Sequence, residues 1–412
     1  MCFQLVYRAR DACGRALSAV KQASQAKLAI VASACIVLLA ITQDNLQERL
    51  KRDVTALAGP EMAGRGNGQE GLNKAINYVI NKYRMLGIEP EIQRFPYRLA
   101  NSENEEPNGY FTNIVATING RDPELSSQHI VVGAHLDHLG TRPNPWGDSP
   151  TIYYGADDNA SGTAAVMELA RYYHTNTPAR TLLFIHFTGE EWGLHGSKYW
   201  VSHPTVDLNS VRFMANLDMI GRLNPNNMTL ALTAMGMGPD ALRKVKAMAP
   251  KGVRVEIDRG TSVFASGSDH APFAANNIPT CFFFTGIHPD YHRPTDTVDK
   301  INWNGLATIT QYAQRLITEY ATAKDVPEFQ PRANLGITPE PGKTVRVWSV
   351  SEGGSAEAAC LKQGDVLTYI NNQAVGSPED LDRVLDLFSR GDSVKLKWKR
   401  GKSSMESKVV LQ

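Results

Sequence analysis

Two pairs of adjacent carboxylates, Asp157-Asp158 and Glu190-Glu191, stand out in this chain, as do histidines and acids that each follow an apolar run. His135, Asp137 and His138 follow HIVVG as AHLDH; Glu190 and Glu191 follow TLLFIHF; Asp218 follows VRFMANL; His288, Asp290, Tyr291 and His292 come after CFFF. Like charges a few ångströms apart raise one another's pKa, so paired acids are costly to gather without a cation. Imidazole and carboxylate donors together suit one or two borderline divalent metals of the zinc type. No single residue identifies such a site: His138, His195 and His288 read as structural histidines, and a Glu-Glu pair alone reads as a solvated turn. The weight rests on the recurrence of acid or imidazole after each apolar run.

Those runs are the elements that must position the chemistry. Asn113 to Ile118, His129 to Gly133, Thr181 to Phe187, Val211 to Leu217 and Ile278 to Phe284 are short and nearly continuously apolar, as strands buried on both faces of a parallel or mixed α/β sheet are. In such sheets ligands bind beyond the carboxyl ends of the strands, where loops distant in sequence converge. The loop 155–162 (GADDNASG) adds Asp157 and Asp158 just before a crossover helix marked by Val166, Ala170 and Tyr173. Helical spacing also runs over 45–86, interrupted by GRGNGQEG, and over Trp303 to Tyr320. Prolines and charges over 322–333 mark a linker. Beyond it short strands surround one helix, with Ser377 as N-cap, Pro378 in its first turn, and an apolar stripe of Leu381, Val384, Leu385 and Phe388.

Taken in order, AHLDH, GADDNASG, FTGEEWGLHGS, NLDMIG, GSDHAPF and YHRPTDT resemble the motifs of the co-catalytic zinc aminopeptidases and carboxypeptidases of metallopeptidase family twenty-eight, over roughly residues 45 to 322. The resemblance implies the zinc exopeptidase fold and two Zn2+ per chain. His135 and Asp218 would hold one ion, Glu191 and His292 the other, and Asp157 would bridge them, with Glu190 as general base. It also implies an unusual peptide bond between Asp157 and Asp158. The chemistry is consistent: two divalent ions about 3.5–4 Å apart acidify a water between them, and a carboxylate that binds no metal must take its proton and pass it to the leaving amine. Asp137, two residues past His135, is placed to accept that imidazole's other N–H. GSDHAPF matches a family segment near the substrate pocket, which makes Asp269 and His270, with Tyr291, pocket candidates, although a structural role for Asp269 and His270 fits equally. The implied activity is an exopeptidase acting on peptides, an aminopeptidase by the family's commoner activity. Rivals are a carboxypeptidase of the same family, a single-zinc glutaminyl cyclase of similar fold, and an inactive protein whose C-terminal domain does the binding.

Residues 334–412, with Asn334-Leu335-Gly336-Ile337 and GSAEAACLKQGDVLTYINNQAV, resemble a bacterial PDZ domain, a small β-rich unit. Cys360 stands where that family has glycine. The resemblance implies a groove for a C-terminal peptide, its carboxylate received by the backbone of Leu335, Gly336 and Ile337. The expected division is therefore 1–43 signal peptide or anchor, 44–322 catalytic, 323–333 linker and 334–412 PDZ. Lys plus Arg number 43 against 42 Asp plus Glu, so no global basic field exists to hold nucleic acid. Five cysteines, three of them in the first 35 residues, leave Cys281 and Cys360 as free thiols. Leu28 to Ile41 is an apolar run behind five basic residues, which fits a signal segment or an uncleaved anchor. Export to the periplasm or beyond follows as an expectation, with contact to a membrane only through that run.

Overall fold

The computed structural model describes residues 46–98, 106–144, 147, 149–260, 266–326 and 328–412. The apolar run Leu28 to Ile41 lies outside them. Helix α1 spans 46–57 and α2 Glu70–Met85, separated by the Gly-rich turn. An eight-stranded sheet follows, built from β1 (Glu91–Tyr97), β2 (Gly109–Ile118), β3 (His129–His135), β4 (Thr181–Phe187), β5 (Val211–Leu217), β6 (Thr229–Thr233), β7 (Arg254–Asp258) and β8 (Thr280–Phe284). Its spatial order is β1-β2-β4-β3-β5-β8-β6-β7. The four central strands β4, β3, β5 and β8 run parallel, while β1, β2 and β6 add antiparallel pairings outside them.

This mixed sheet matches the expected class, and burial explains it. Every residue of β4 is buried, as are six of seven in β3 and in β5, so these strands need cover on both faces. Helices α3 (Gly162–Thr175), α4 (His195–Ser202), α5 (Pro239–Ala247), α6 (His270–Ala275) and α7 (Trp303–Thr322) flank the sheet. Helix α7 starts where the Asn302 side chain accepts from the Gly305 N–H at 2.9 Å, a cap that satisfies one of the free donors of the first turn. Strands β1 and β7 are half exposed and therefore carry no continuous apolar run.

The C-terminal region has its own antiparallel sheet and its own core. Strands β9 (Ile337–Pro339), β10 (Val345–Val350), β11 (Val366–Ile370), β12 (Ser393–Arg400) and β13 (Ser403–Val410) lie in that order, with β9 at the edge. In β12, Val394, Leu396 and Trp398 point inward and Lys395, Lys397 and Lys399 outward, the period of two that a sheet with one wet face requires. Helix α8 (Pro378–Leu385) is capped by Ser377, whose hydroxyl accepts from the Asp380 N–H at 3.1 Å; Leu381, Val384 and Leu385 enter the core and Phe388 packs against it. Both Cys281 and Cys360 are free, the first buried in β8 and the second exposed.

The stretch between the two sheets is irregular but held. Arg180 donates to the carbonyls of Ala323 and Lys324, and the Gln330 N–H donates to the Gly236 carbonyl at 2.8 Å. Arg259, just past β7, donates from Nη1 to the carbonyls of Asp386 and Phe388, each at 3.0 Å, at the C-terminal end of α8 where the helix carbonyls lack partners.

Candidate metal centre

The four parallel strands end on one edge of the sheet, and the chemistry sits there. His135 is the last residue of β3, Asp218 the first after β5, and Glu190 and Glu191 follow β4 by three and four residues. Asp157 and Asp158 lie in the buried turn 156–161 that leads into α3, and His292 in the loop between β8 and α7. Five separate segments therefore converge.

The convergence yields two groups that share one carboxylate. His135 Nε2 lies 3.2 Å from Asp218 Oδ1 and 3.3 Å from Asp158 Oδ1. His292 Nε2 lies 3.2 Å from Asp158 Oδ2 and 3.0 Å from Glu191 Oε2. The two oxygens of Asp158 thus face the two groups. His138, read from sequence as structural, also reaches this centre: its Nδ1 is 2.7 Å from Glu191 Oε1 and 3.6 Å from Asp158 Oδ2. His135 with Asp158 and Asp218, and His138 with Asp158 and Glu191, are each compact enough to surround an ion.

Three expectations need correction. Asp157, expected as the bridge, turns away: its Oδ1 accepts from the Gly221 N–H at 2.6 Å and the Ser161 hydroxyl at 3.1 Å, and its Oδ2 lies 3.2 Å from His288 Nε2. Neighbours in this turn point their side chains in different directions, and it is Asp158 that faces His135 and His292. The cis peptide bond likewise joins Asp158 to Asn159, not Asp157 to Asp158. Finally, His135 Nδ1 lies 3.1 Å from the Asp137 carbonyl oxygen and 3.9 Å from its carboxylate. That carboxylate instead accepts from the Asn67 amide at 2.6 Å and from the backbone N–H groups of Glu190 and Glu191 at 3.3 and 3.4 Å, so it sets the turn that carries both glutamates.

The electrostatics show a site short of positive charge. Burial disfavours a charged imidazole, yet Asp158 and Glu191 outweigh it at His292 and push its pKa up to about 10. At His135 burial is likewise overcome, chiefly by Asp218 and Glu190, and the pKa rises well above the ordinary value. Burial, reinforced by Asp218, Asp269 and Glu191, raises Glu190 well above the usual carboxylate range. These imidazoles hold protons where the acids demand cations. The donor set, imidazole nitrogen with carboxylate oxygen, is one that zinc accepts, so the residues fit the metal that the sequence motifs imply.

Several supporting residues were not singled out from sequence. Arg65 is wholly buried, and burial lowers its pKa to about 10. Its guanidinium donates to the carbonyls of Leu57, Leu136, Tyr154, Gly155 and Asp158, tying together the loops that carry His135 and Asp158. Asp296, inside the YHRPTDT motif, accepts from the backbone N–H groups of Asp157 and Asp158 at 2.9 and 3.0 Å. Ser268 donates to Asp218 Oδ2 at 2.7 Å and accepts from Asn216 at 2.8 Å. A serine or arginine in a loop carries no periodicity, so only the fold reveals these roles.

A cavity of about 110 Å³ opens on the centre. His135, Asp158, Glu190, Asp218 and His292 form its polar wall, and Met219, Phe282, Phe284 and Ile287 its apolar one. Tyr291 lines it and stacks on His292 at a ring separation of 3.8 Å. Asp269 and His270, also pocket candidates from sequence, are fully buried behind it, with the His270 ring stacked on Phe282 at 4.5 Å.

Residues 113–317 match the profile of peptidase family M28, and residues 329–411 match a PDZ-domain profile. The catalytic region belongs to peptidase family M28. Leupeptin-inactivating enzyme 1 of Streptomyces exfoliatus is 30% identical over 61% of this chain and 50% of its own length. A probable leucine aminopeptidase 1 of Trichophyton verrucosum is 29% identical over 50% of this chain and 57% of its own length, so the chain spans about half the length of these two relatives. The uncharacterized protein YfbL of Escherichia coli is 27% identical over 64% of this chain and 84% of its own. Among solved structures, the zinc aminopeptidase BSAP of Bacillus subtilis superposes with a TM-score of 0.55 at 17% identity, covering 69% of this chain and 97% of that one. Porphyromonas gingivalis glutaminyl cyclase gives 0.52 at 19% identity, covering 66% and 98%. These two likenesses are of fold.

Proposed function

We propose that this M28 protein is a zinc-dependent aminopeptidase that removes N-terminal residues from peptides. One observation carries the reading: two imidazole–carboxylate groups share Asp158 and open on the same cavity that Glu190, a member of neither group, also lines. His135, Asp158 and Asp218 would hold one ion, and Asp158, Glu191 and His292 the other. When bound, the ions supply Lewis acidity, making water more acidic and a peptide carbonyl more electrophilic.

The remaining steps belong to the chain. Glu190, fixed by the hydrogen bond from its own N–H to Asp137, takes a proton from the attacking water and returns it to the leaving amine. The apolar wall of Met219, Phe282, Phe284 and Ile287 receives an apolar side chain of the N-terminal residue. Relatives described as leucine aminopeptidases support that choice over carboxypeptidase action. The two complete groups favour hydrolysis over the single-metal chemistry of a cyclase. The test is a panel of leucine-led peptides with free or acetylated N-termini and free or amidated C-termini, plus a peptide led by glutamine. Release of the first residue only from free N-termini supports the reading. Dependence on a free C-terminus, or a cyclised glutamine product without hydrolysis, overturns it.

Two wider expectations stand beside this one. The edge strand β9 offers its open side to a peptide C-terminus in the PDZ domain, and the basic-then-apolar N-terminal run directs the chain out of the cytoplasm.

A further inference from the structure

The structure points to a role for His138 that its sequence context did not suggest: we propose that it is a positioning residue that orients Glu191 toward the metal through an Nδ1–H hydrogen bond. The proposal rests on the reading of Glu191 as a ligand given above.

The imidazole is buried and its placement is fixed from several sides. Its backbone N–H donates to the Arg65 carbonyl at 3.0 Å. A Cβ on Gly155 would lie 2.5 Å from His138 Cδ2, so the glycine of the GADD turn makes room for the ring, and at φ +60 its backbone also sits where glycine is favoured. On another side the ring meets His292 edge-on, with centroids 5.9 Å apart. Within this frame only one nitrogen has a partner. Nδ1 is 2.7 Å from Glu191 Oε1, a length typical of a charge-assisted bond, whereas Nε2 is buried with no protein atom within hydrogen-bonding reach among the described residues.

That asymmetry decides between two roles. A metal ligand would need a bare Nδ1 and would leave the proton on Nε2, a buried N–H with no acceptor. Orphaned buried donors are rarer than unsatisfied acceptors. With the proton on Nδ1, the bond to Glu191 is made and only a lone pair is left alone. Glu191 then has its two oxygens committed differently: Oε1 to His138 and Oε2 toward the His292 side, 3.0 Å from that imidazole. Held this way the carboxylate loses little rotamer freedom when an ion arrives, which is how hydrogen-bonded partners of metal ligands raise affinity.

The test uses the full-length chain stripped of metal and titrated with zinc against a chromophoric chelator, for wild type and for His138→Ala, His138→Asn and His138→Gln. An asparagine amide can reach the place of Nδ1, whereas a glutamine amide extends to the place of Nε2. We expect all four proteins to take up two ions at saturation. One of those ions should bind about 10- to 100-fold more weakly in the alanine and glutamine variants, with affinity largely restored by asparagine. If the alanine variant does not fold, the asparagine and glutamine pair gives the same comparison. Unchanged affinities throughout, or outright loss of one ion in every variant as for a missing ligand, would overturn the proposal. A wild-type chain that holds no ion would instead overturn the functional reading, and this role with it.

Discussion

At the scale of single residues, the centre turns on which of two neighbours does what. Glu190→Gln removes the proton acceptor but keeps the ligands, so zinc should stay while kcat falls by roughly 10²–10⁴. Glu191→Gln should lose or weaken one ion, because a neutral amide compensates a dication poorly. Elemental analysis with hydrolysis of leucine anilide separates the two; a reversed pattern would exchange their roles. The perturbed pKa values give a second expectation. His292 is raised in the folded, metal-free chain from 6.5 to about 10, so the stability it adds is full below pH 6.5 and is lost as pH climbs toward 10. Burial lifts Asp269 from 3.8 to about 7, which also makes stability fall with rising pH, over that lower window. The melting temperature of chelator-treated protein should therefore drop between pH 6 and pH 9, and zinc should flatten the slope; a metal-free protein that gains stability over that range would contradict it.

At the scale of elements, the strands that carry the site were legible and their exact turns were not. β3, β4 and β5 were readable because burial on both faces demands unbroken apolar runs, and that alone located His135, Glu190, Glu191 and Asp218 at strand ends. The loop before α3 announced two aspartates. Nothing in the pattern of residue types distinguishes Asp157 from Asp158, because the direction of each side chain depends on the backbone of the turn. The same holds for Arg65 and Asp296, whose roles consist of bonds to backbone groups brought from far along the chain. Cys360 shows a departure that structure explains. It follows the one-turn helix Ser355–Ala358 at φ +61, the left-handed position that glycine favours, and the Leu361 N–H closes back to the Ala356 carbonyl at 2.9 Å. Cys360→Gly removes the cost of a side chain in that region, which is of order 1 kcal/mol. Unfolding of the variant should shift to higher temperature or denaturant; a lower midpoint would show that the thiol's contacts outweigh the strain.

At the scale of the whole molecule, the C-terminal domain is attached by more than a tether. Arg259 is 5% exposed and gives Nη1 to two carbonyls across the boundary, and Phe329 packs so closely on Gly236 that a Cβ there would lie 2.1 Å from its ring. Every proposed ligand nevertheless precedes Ala323. A chain ending at Lys324 should fold and hydrolyse leucine anilide, with a lowered melting temperature because the bonds from Arg259 and the packing of Phe329 on Gly236 are lost. Failure to fold would make the C-terminal domain part of the catalytic core.

In the proposed centre Asp158 serves both metal positions and Asp157 neither. This is tested most directly by the zinc content, per chain, of the purified wild type, Asp158→Asn and Asp157→Asn proteins. We expect close to two ions in the wild type, a fall to one or fewer in Asp158→Asn, and a content near the wild type's in folded Asp157→Asn. Two ions retained in Asp158→Asn, with loss confined to Asp157→Asn, would contradict it.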